Sequence, residues 1–269
     1  MRVLVTNDDG IDAPGLHALA LALDGAGYQV VVAAPDRDHS GYGAALGDIG
    51  AGVDPHLRVA EASIPGGERV PARSVAGPPA PCVLAARLGG FGDPPDIVVS
   101  GINPGNNTGR AVLHSGTVGA ALTGANLGIS GVAVSVAGRD APRFDTAATV
   151  ALAALGWLVT APARTVLNVN VPALDADALR GTRWATLAPF GTVRSTLSGE
   201  GSDRLDLNLV ETAAELPPDS DTALVRAGYV AVTTLTGIRA GEWQPVAADV
   251  ERRLAAAQRR RRPPTEETA

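Results

Sequence analysis

The apolar positions of this chain come in short blocks set between polar, glycine-rich turns, and the period of the blocks alternates along the sequence. RVLVT (2–6) and QVVVAAP (29–35) are unbroken apolar runs rich in β-branched residues, the pattern of strands buried on both faces. Between them LHALALAL follows Pro14, which suits a first helical turn, and stops at Gly25 and Gly27, so the stretch reads as a helix. Two buried strands joined by one helix make a right-handed βαβ unit, and hence a parallel sheet. The alternation recurs with CVLAARLGG (82–90) as helix, DIVVS (96–100) as strand, SGTVGAALTGANLG (115–128) as helix and GVAVSV (131–136) as strand. DTAATVALAALGWLV (145–159) is then a helix, TVLNVNV (165–171) a strand, GYVAVTTL (228–235) a late strand and VAADVERRLAAAQ (246–258) an amphipathic closing helix. The fold class is therefore α/β with a mainly parallel sheet.

Two stretches break the rhythm. Residues 44–80 are rich in Gly and Pro with short alternating pieces such as LRVAEASI, which suits an inserted hairpin region. Residues 190–226 are polar and irregular and read as a second excursion. The terminal RRRRPPTEETA (259–269) has the composition of a disordered, solvated tail.

Charge and composition narrow the chemistry. The 269 residues carry a net charge of −6, and the Arg-rich tail leaves the rest more acidic still, a poor start for nucleic-acid binding. There is no lysine, which removes Schiff-base chemistry and a Walker-type phosphate Lys. One cysteine, Cys82, permits neither an internal disulfide nor a cysteine zinc site, and at a helix start it reads as packing. The N-terminus begins as a strand rather than a signal peptide, and no apolar run reaches the ~20 residues of a membrane span. The expected location is cytoplasmic.

In an open α/β sheet, ligands bind beyond the carboxyl ends of the strands near a switch in strand order. After the first strand come Asn7, Asp8 and Asp9; after the second, Asp36-Arg37-Asp38-His39-Ser40; after DIVVS, Gly101-Ile102-Asn103 and then PGNNTG. A turn needs only one Asx and a Gly, so the second of two adjacent carboxylates calls for another reason. The three loops together supply two carboxylates, a hydroxyl and an amide oxygen, hard donors suited to Mg²⁺, Mn²⁺ or Ca²⁺. A divalent cation would also relieve the repulsion between Asp8 and Asp9. Ser115 is a candidate N-cap, and the first-turn N–H groups behind it, with Gly116 allowing close approach, are a candidate phosphate site. His17 lies inside the first helix and reads as structural, whereas His39 and His114 flank the candidate site. There is no GxGxxG after the first strand, no GxSxG and no HExxH, which disfavours a dinucleotide cofactor, a serine hydrolase and a zinc protease.

The blocks VLVTNDDGIDAPGLHALA, APDRDHSG, PDIVVSGINPGNNTG, HSGTVGAAL and GYVAVTTL resemble, in order and spacing, the SurE family of survival-protein-E nucleotidases. The resemblance spans about residues 1–172 and again 228–235. It implies a Rossmann-like three-layer core with a C-terminal β-hairpin extension and a swapped C-terminal element that builds homodimers or homotetramers. As a domain plan it implies one unit over 1–258, with a core of about 1–189 and an extension of about 190–258. It implies one divalent cation, and hydrolysis of nucleoside 5′- and 3′-monophosphates or a related small phosphate ester. The family's metal ligands fall on Asp8, Asp9, Ser40 and Asn103, its catalytic groups on Asp8, Asp9 and Asn103, and its phosphate-contacting region on Asn107, Ser115, Gly116 and Thr117. The chain departs from the family pattern at Gly43 and Ala45, where hydroxyls are usual, and at Pro81, His114 and Thr123. Those departures suggest a divergent paralogue and motivate an alternative, a SurE homologue that binds metal and a phosphorylated ligand without turnover. A metal-dependent glycosyltransferase, with Asp36-Arg37-Asp38 as its DxD, ranks lower.

Overall fold

The structure, a computed structural model, describes residues 1–47, 56–138, 140–189, 193–198, 206–211, 215–239 and 246–261. Its elements run β1 (Arg2–Thr6), α1 (Pro14–Gly25), β2 (Gln29–Pro35), β3 (Val59–Ala62), β4 (Ala72–Val75), α2 (Pro79–Arg87), β5 (Ile97–Pro104), α3 (Gly116–Asn126), β6 (Ser130–Val136), α4 (Phe144–Leu158), β7 (Val166–Val171), β8 (Thr182–Trp184), β9 (Val193–Ser198), β10 (Asp206–Glu211), α5 (Asp221–Arg226), β11 (Val230–Leu235) and α6 (Val246–Arg261), with short 3₁₀ turns at Gly109–His114 and Ala176–Ala178. The chain divides into residues 1–237 and 238–269; α6 lies in the second unit.

Nine strands form one sheet in the order β3-β4-β2-β1-β5-β6-β7-β11-β8, and β9 pairs with β10 in a separate antiparallel hairpin. Only β3–β4 and β7–β11 are antiparallel within the large sheet. Alternate residues of the same strand serve opposite layers. Val3 and Val5 of β1 pack with Leu16, Leu19 and Leu23 of α1 and with Ala151 and Leu155 of α4. Leu4, between them, faces Cys82 and Val83 of α2 and Ala120 of α3. This three-layer α/β arrangement explains why β1 has no polar face: it is covered on both sides. Strand β1 lies between β2 and β5, so the connections leave it in opposite directions and the switch point falls at the carboxyl ends of β1 and β5.

Several elements differ from the sequence reading for local reasons. Helix α2 starts at Pro79 rather than Cys82, because prolines are tolerated in a first turn whose N–H groups have no helical partner. The inserted region is a hairpin, β3–β4, but β4 also pairs in parallel with β2 and so extends the main sheet; residues 48–55 of that region lie outside the described residues. Strand β5 does not stop at Ser100. It shifts register between Ser100 and Asn103, with Gly101 at φ +134°, and carries Asn103 as a strand residue beyond the irregularity rather than in the following loop. The stretch 190–226 holds β9, β10 and α5 instead of irregular chain. Helix α6 runs to Arg261, into the stretch read as a tail, and 262–269 lie outside the described residues. No helix among the described residues is long and apolar enough to cross a membrane.

Candidate active site

Asn7, rather than either aspartate, closes the turn after β1. Its Nδ2 donates to the Gly10 carbonyl at 3.0 Å, and the Gly10 N–H donates to its Oδ1 at 3.3 Å. Gly10 sits at φ +108°, where a side chain would be strained. Turn chemistry is thus satisfied without Asp8 or Asp9.

Asp8 is 3% exposed and is fastened to the start of α3. The Gly116 N–H donates to its Oδ2 at 3.0 Å and the Thr117 hydroxyl donates to its Oδ1 at 2.5 Å. Burial pushes the Asp8 carboxyl above its ordinary range, and the Thr117 and Gly116 donors pull against that rise. The approach is so close that a Cβ on Gly116 would lie 2.6 Å from Asp8 Cβ and 2.8 Å from its Oδ2. Of the first-turn N–H groups expected to form a phosphate site, that of Gly116 is donated to Asp8.

The other two strand ends converge on the same point. The His39 N–H donates to the Asp8 carbonyl at 2.7 Å, which sets Ser40 beside β1. Ser40 donates from N and Oγ to Asp38 Oδ1 at 2.7 and 2.6 Å, and its hydroxyl oxygen keeps lone pairs for a further partner. Asp38 thus makes a local turn, which is not the role a glycosyltransferase DxD would need. Asn103 donates from Nδ2 to the Gly105 carbonyl at 2.6 Å, and its Oδ1 lies 3.5 Å from the Thr117 hydroxyl. Direct contacts therefore join Asp8, Asn103, Gly116 and Thr117. Asp9, half-buried, is next in the chain, and Ser40 is tied in through His39. The donor set is two carboxylates, a hydroxyl and an amide oxygen, which fits a hard divalent cation. Among the described residues no three His, Cys, Asp or Glu side chains converge as a metal-binding group, so an imidazole- or thiolate-rich centre has no counterpart there.

The remaining expected residues have structural partners. Ser115 caps α3, accepting the Val118 N–H at 3.1 Å. Asn107 is anchored on the far side of β5. Its Nδ2 donates to Ser135 Oγ at 2.9 Å, its N–H donates to Asn170 Oδ1 at 2.8 Å, and its carbonyl accepts from Asn168 and Asn170 at 2.8 and 3.0 Å. His17 Nε2 lies 2.8 Å from the Ile11 carbonyl, a structural contact. Cys82 is fully buried, and burial pushes its thiol up to about 12, so it stays protonated and inert. The departures Gly43 and Ala45 lie in a loop folded against α3. Gly43 N–H donates to the His114 carbonyl at 3.1 Å, and a Cβ on Gly119 would fall 2.4 Å from Gly43, so the two glycines permit that contact. Thr123 donates to the Gly119 carbonyl at 2.7 Å.

Sequence reasoning missed the asparagine clamp and a buried brace. Asn168 and Asn170 were legible as the polar alternate positions of NVN in an otherwise apolar strand. Asp221, fully buried at the start of α5, accepts the Gly109 N–H at 2.8 Å and the Ala188 N–H at 3.0 Å, while Thr222 donates to Thr108 at 2.9 Å. These bonds hold the loop that carries Asn107, and no local pattern in the sequence signals them.

Comparison with known proteins gives a consistent picture. The family model described as Survival protein SurE matches residues 3–191. The chain is 38% identical over 245 residues to the 5′-nucleotidase SurE of Xylella fastidiosa (strain M12), covering 87% of this chain and 89% of that protein. It is 44% identical over 200 residues to the 5′-nucleotidase SurE of Xanthomonas campestris pv. campestris (strain B100), covering 72% and 69%. Its fold matches the crystal structure of the SurE protein from Aquifex aeolicus with a TM-score of 0.77 and 28% identity, over 94% of this chain and all of that one.

Proposed function

The chain belongs to the SurE family, and from that premise we propose that it is a divalent-metal-dependent phosphomonoesterase acting on nucleoside 5′-monophosphates, with 3′-monophosphates or a related small phosphate ester as further substrates. The observation that carries this reading is the buried Asp8 carboxylate, held by the first turn of α3 and set beside Asn103 at the β1/β5 switch point.

Asp8, Asp9, Ser40 and Asn103 are the residues that would hold Mn²⁺ or Mg²⁺, which when bound supplies Lewis-acid polarisation of the phosphoryl group and of water. The chain's own groups do the rest. Gly116 and Thr117 keep Asp8 in one orientation, so no side chain must reorganise as charge develops. Asp9 orients the attacking water and takes its proton. Asn103 and the anchored Asn107 face the phosphate, while Ser115 caps the helix whose Thr117 hydroxyl is committed to Asp8. With two carboxylates engaged as ligands, direct attack by water is favoured over a phospho-aspartate. The water oxygen bonds phosphorus as the P–O bond to the alcohol breaks, the proton held by Asp9 passes to the leaving alkoxide, and phosphate and the alcohol leave.

Cytoplasmic location and assembly as a homodimer or homotetramer belong to the same proposal; light scattering on the purified chain tests the assembly. The activity is tested by phosphate release from nucleotides, sugar phosphates and p-nitrophenyl phosphate with Mn²⁺, Mg²⁺ or EDTA. Metal-dependent release supports the proposal. Metal binding with no release from any ester would favour the non-catalytic alternative.

A further inference from the structure

Beside the site, one strand further toward the sheet edge, lies a cavity of about 540 Å³. It opens beyond the carboxyl ends of β2 and β4 and is walled by Leu57, Pro78 and Tyr42, with Arg37 and Arg58 at its polar side. Its volume is that of a small-molecule site. His39 also lines it. That ring is 5% exposed, and neither of its nitrogens has a hydrogen-bond partner. The nearest carboxylate oxygen, Asp36 Oδ1, is 3.8 Å from Nε2, beyond hydrogen-bonding distance. Both nitrogens are closed off from solvent, so the ring forms part of the cavity wall and offers no open hydrogen-bonding atom. Its neighbour in the chain is Ser40, and its own N–H is bonded to Asp8, so a ligand reaching His39 is contiguous with the candidate catalytic centre.

The charge of the cavity is unusual for this chain. The protein as a whole carries −6, yet among the described residues the wall brings two guanidinium groups to one carboxylate, Asp36, which lies 4.0 Å from Arg37. Guanidinium is the side chain best suited to planar, bidentate binding of phosphate or carboxylate.

We propose that this cavity receives the alcohol portion of the phosphate ester, and that the preferred substrate carries a second anionic group on that portion, bound by Arg37 and Arg58. The inference rests on the phosphomonoesterase reading and specifies its substrate class: esters with two anionic groups, of which a nucleoside 3′,5′-bisphosphate is the probe. The apolar walls take the ring system of such a ligand.

The test compares kcat/KM for adenosine 3′,5′-bisphosphate and adenosine 5′-monophosphate, in Mn²⁺, for the wild type and an R37Q/R58Q double variant. p-Nitrophenyl phosphate, which has no second anion, reports in the wild type on the phosphatase reading alone. The wild type should favour the bisphosphate by about tenfold or more, and the double variant should lose about tenfold of that preference, the size expected for one to two charge-assisted contacts. Turnover of p-nitrophenyl phosphate with an unchanged bisphosphate-to-monophosphate ratio in R37Q/R58Q would overturn the inference and leave the activity standing. No release from any of the three esters would overturn the activity and the inference with it.

Discussion

Replacing Gly116 by Ala should disable the site while leaving most of the fold intact. A Cβ at this position would stand 2.6 Å from Asp8 Cβ, 2.8 Å from Oδ2 and 2.9 Å from Cγ. Carbon atoms in ordinary contact are about 3.5–4.0 Å apart, so Asp8 and the start of α3 must separate by about 1 Å. The atom struck first is a Cβ, one bond from the backbone, and no rotamer change moves it away. Overpacking of this kind costs about 1–3 kcal/mol, and Ala returns up to about 1 kcal/mol over Gly in a helix, so the net loss of stability is about 0–2 kcal/mol. A shift of about 1 Å in a catalytic group lowers rates by about 10²-fold. Metal-dependent phosphate release and a thermal melt on the same preparation separate the two effects. The expected result is a drop of a few degrees in Tm beside a loss of about 100-fold in kcat/KM. Activity within twofold of wild type would refute the idea that the Asp8 position against α3 matters to the chemistry.

Three further outcomes follow from the same contacts. The Asp8 carboxyl is raised by burial above its ordinary value of 3.8, so the unfolded chain releases that proton more readily than the folded one. Metal-free protein should therefore lose stability as pH climbs from the ordinary value through the raised one, and denaturant melts in EDTA should show a flatter slope for Asp8→Asn; identical slopes would contradict the assignment. Mn²⁺ at about 100 times its Kd should restore about 2.7 kcal/mol to the wild type and far less to Asp8→Asn. Asp221→Ala leaves the buried N–H groups of Gly109 and Ala188 without an acceptor, which should cost about 2–5 kcal/mol by chemical denaturation and raise KM through the Asn107 loop; an unchanged midpoint would remove the brace from the account.

The parts of the fold legible in the sequence are those where one local pattern decides. Apolar β-branched runs marked β1 and β2, because a strand covered on both faces has few polar positions to confuse the period, and β6 and β7 stood out by their Val content despite Ser135, Asn168 and Asn170. Asp8 and Asp9 stood out because one Asx already satisfies the turn, and Asn7 turns out to be that residue. What the sequence hid depends on distant partners. The contact of Asp8 with Gly116 spans 108 positions, and that of Asp221 with Gly109 spans 112. Strand β5 passes through an irregularity at Gly101 before delivering Asn103, and a Gly-Ile-Asn run reads locally as the end of a strand. The β9–β10 hairpin was expected only from the family resemblance, because the stretch that holds its two strands reads locally as polar and irregular. His39 looked like one more polar residue of a loop until burial left both its nitrogens without partners.

The most direct test of the central claim is phosphate release from a nucleoside 5′-monophosphate with Mn²⁺, with EDTA, and with the Asp9→Asn variant in Mn²⁺. The account predicts turnover only for the wild type with metal, and a variant that folds as the wild type does. Undiminished release in EDTA, or a variant as active as the wild type, would contradict it.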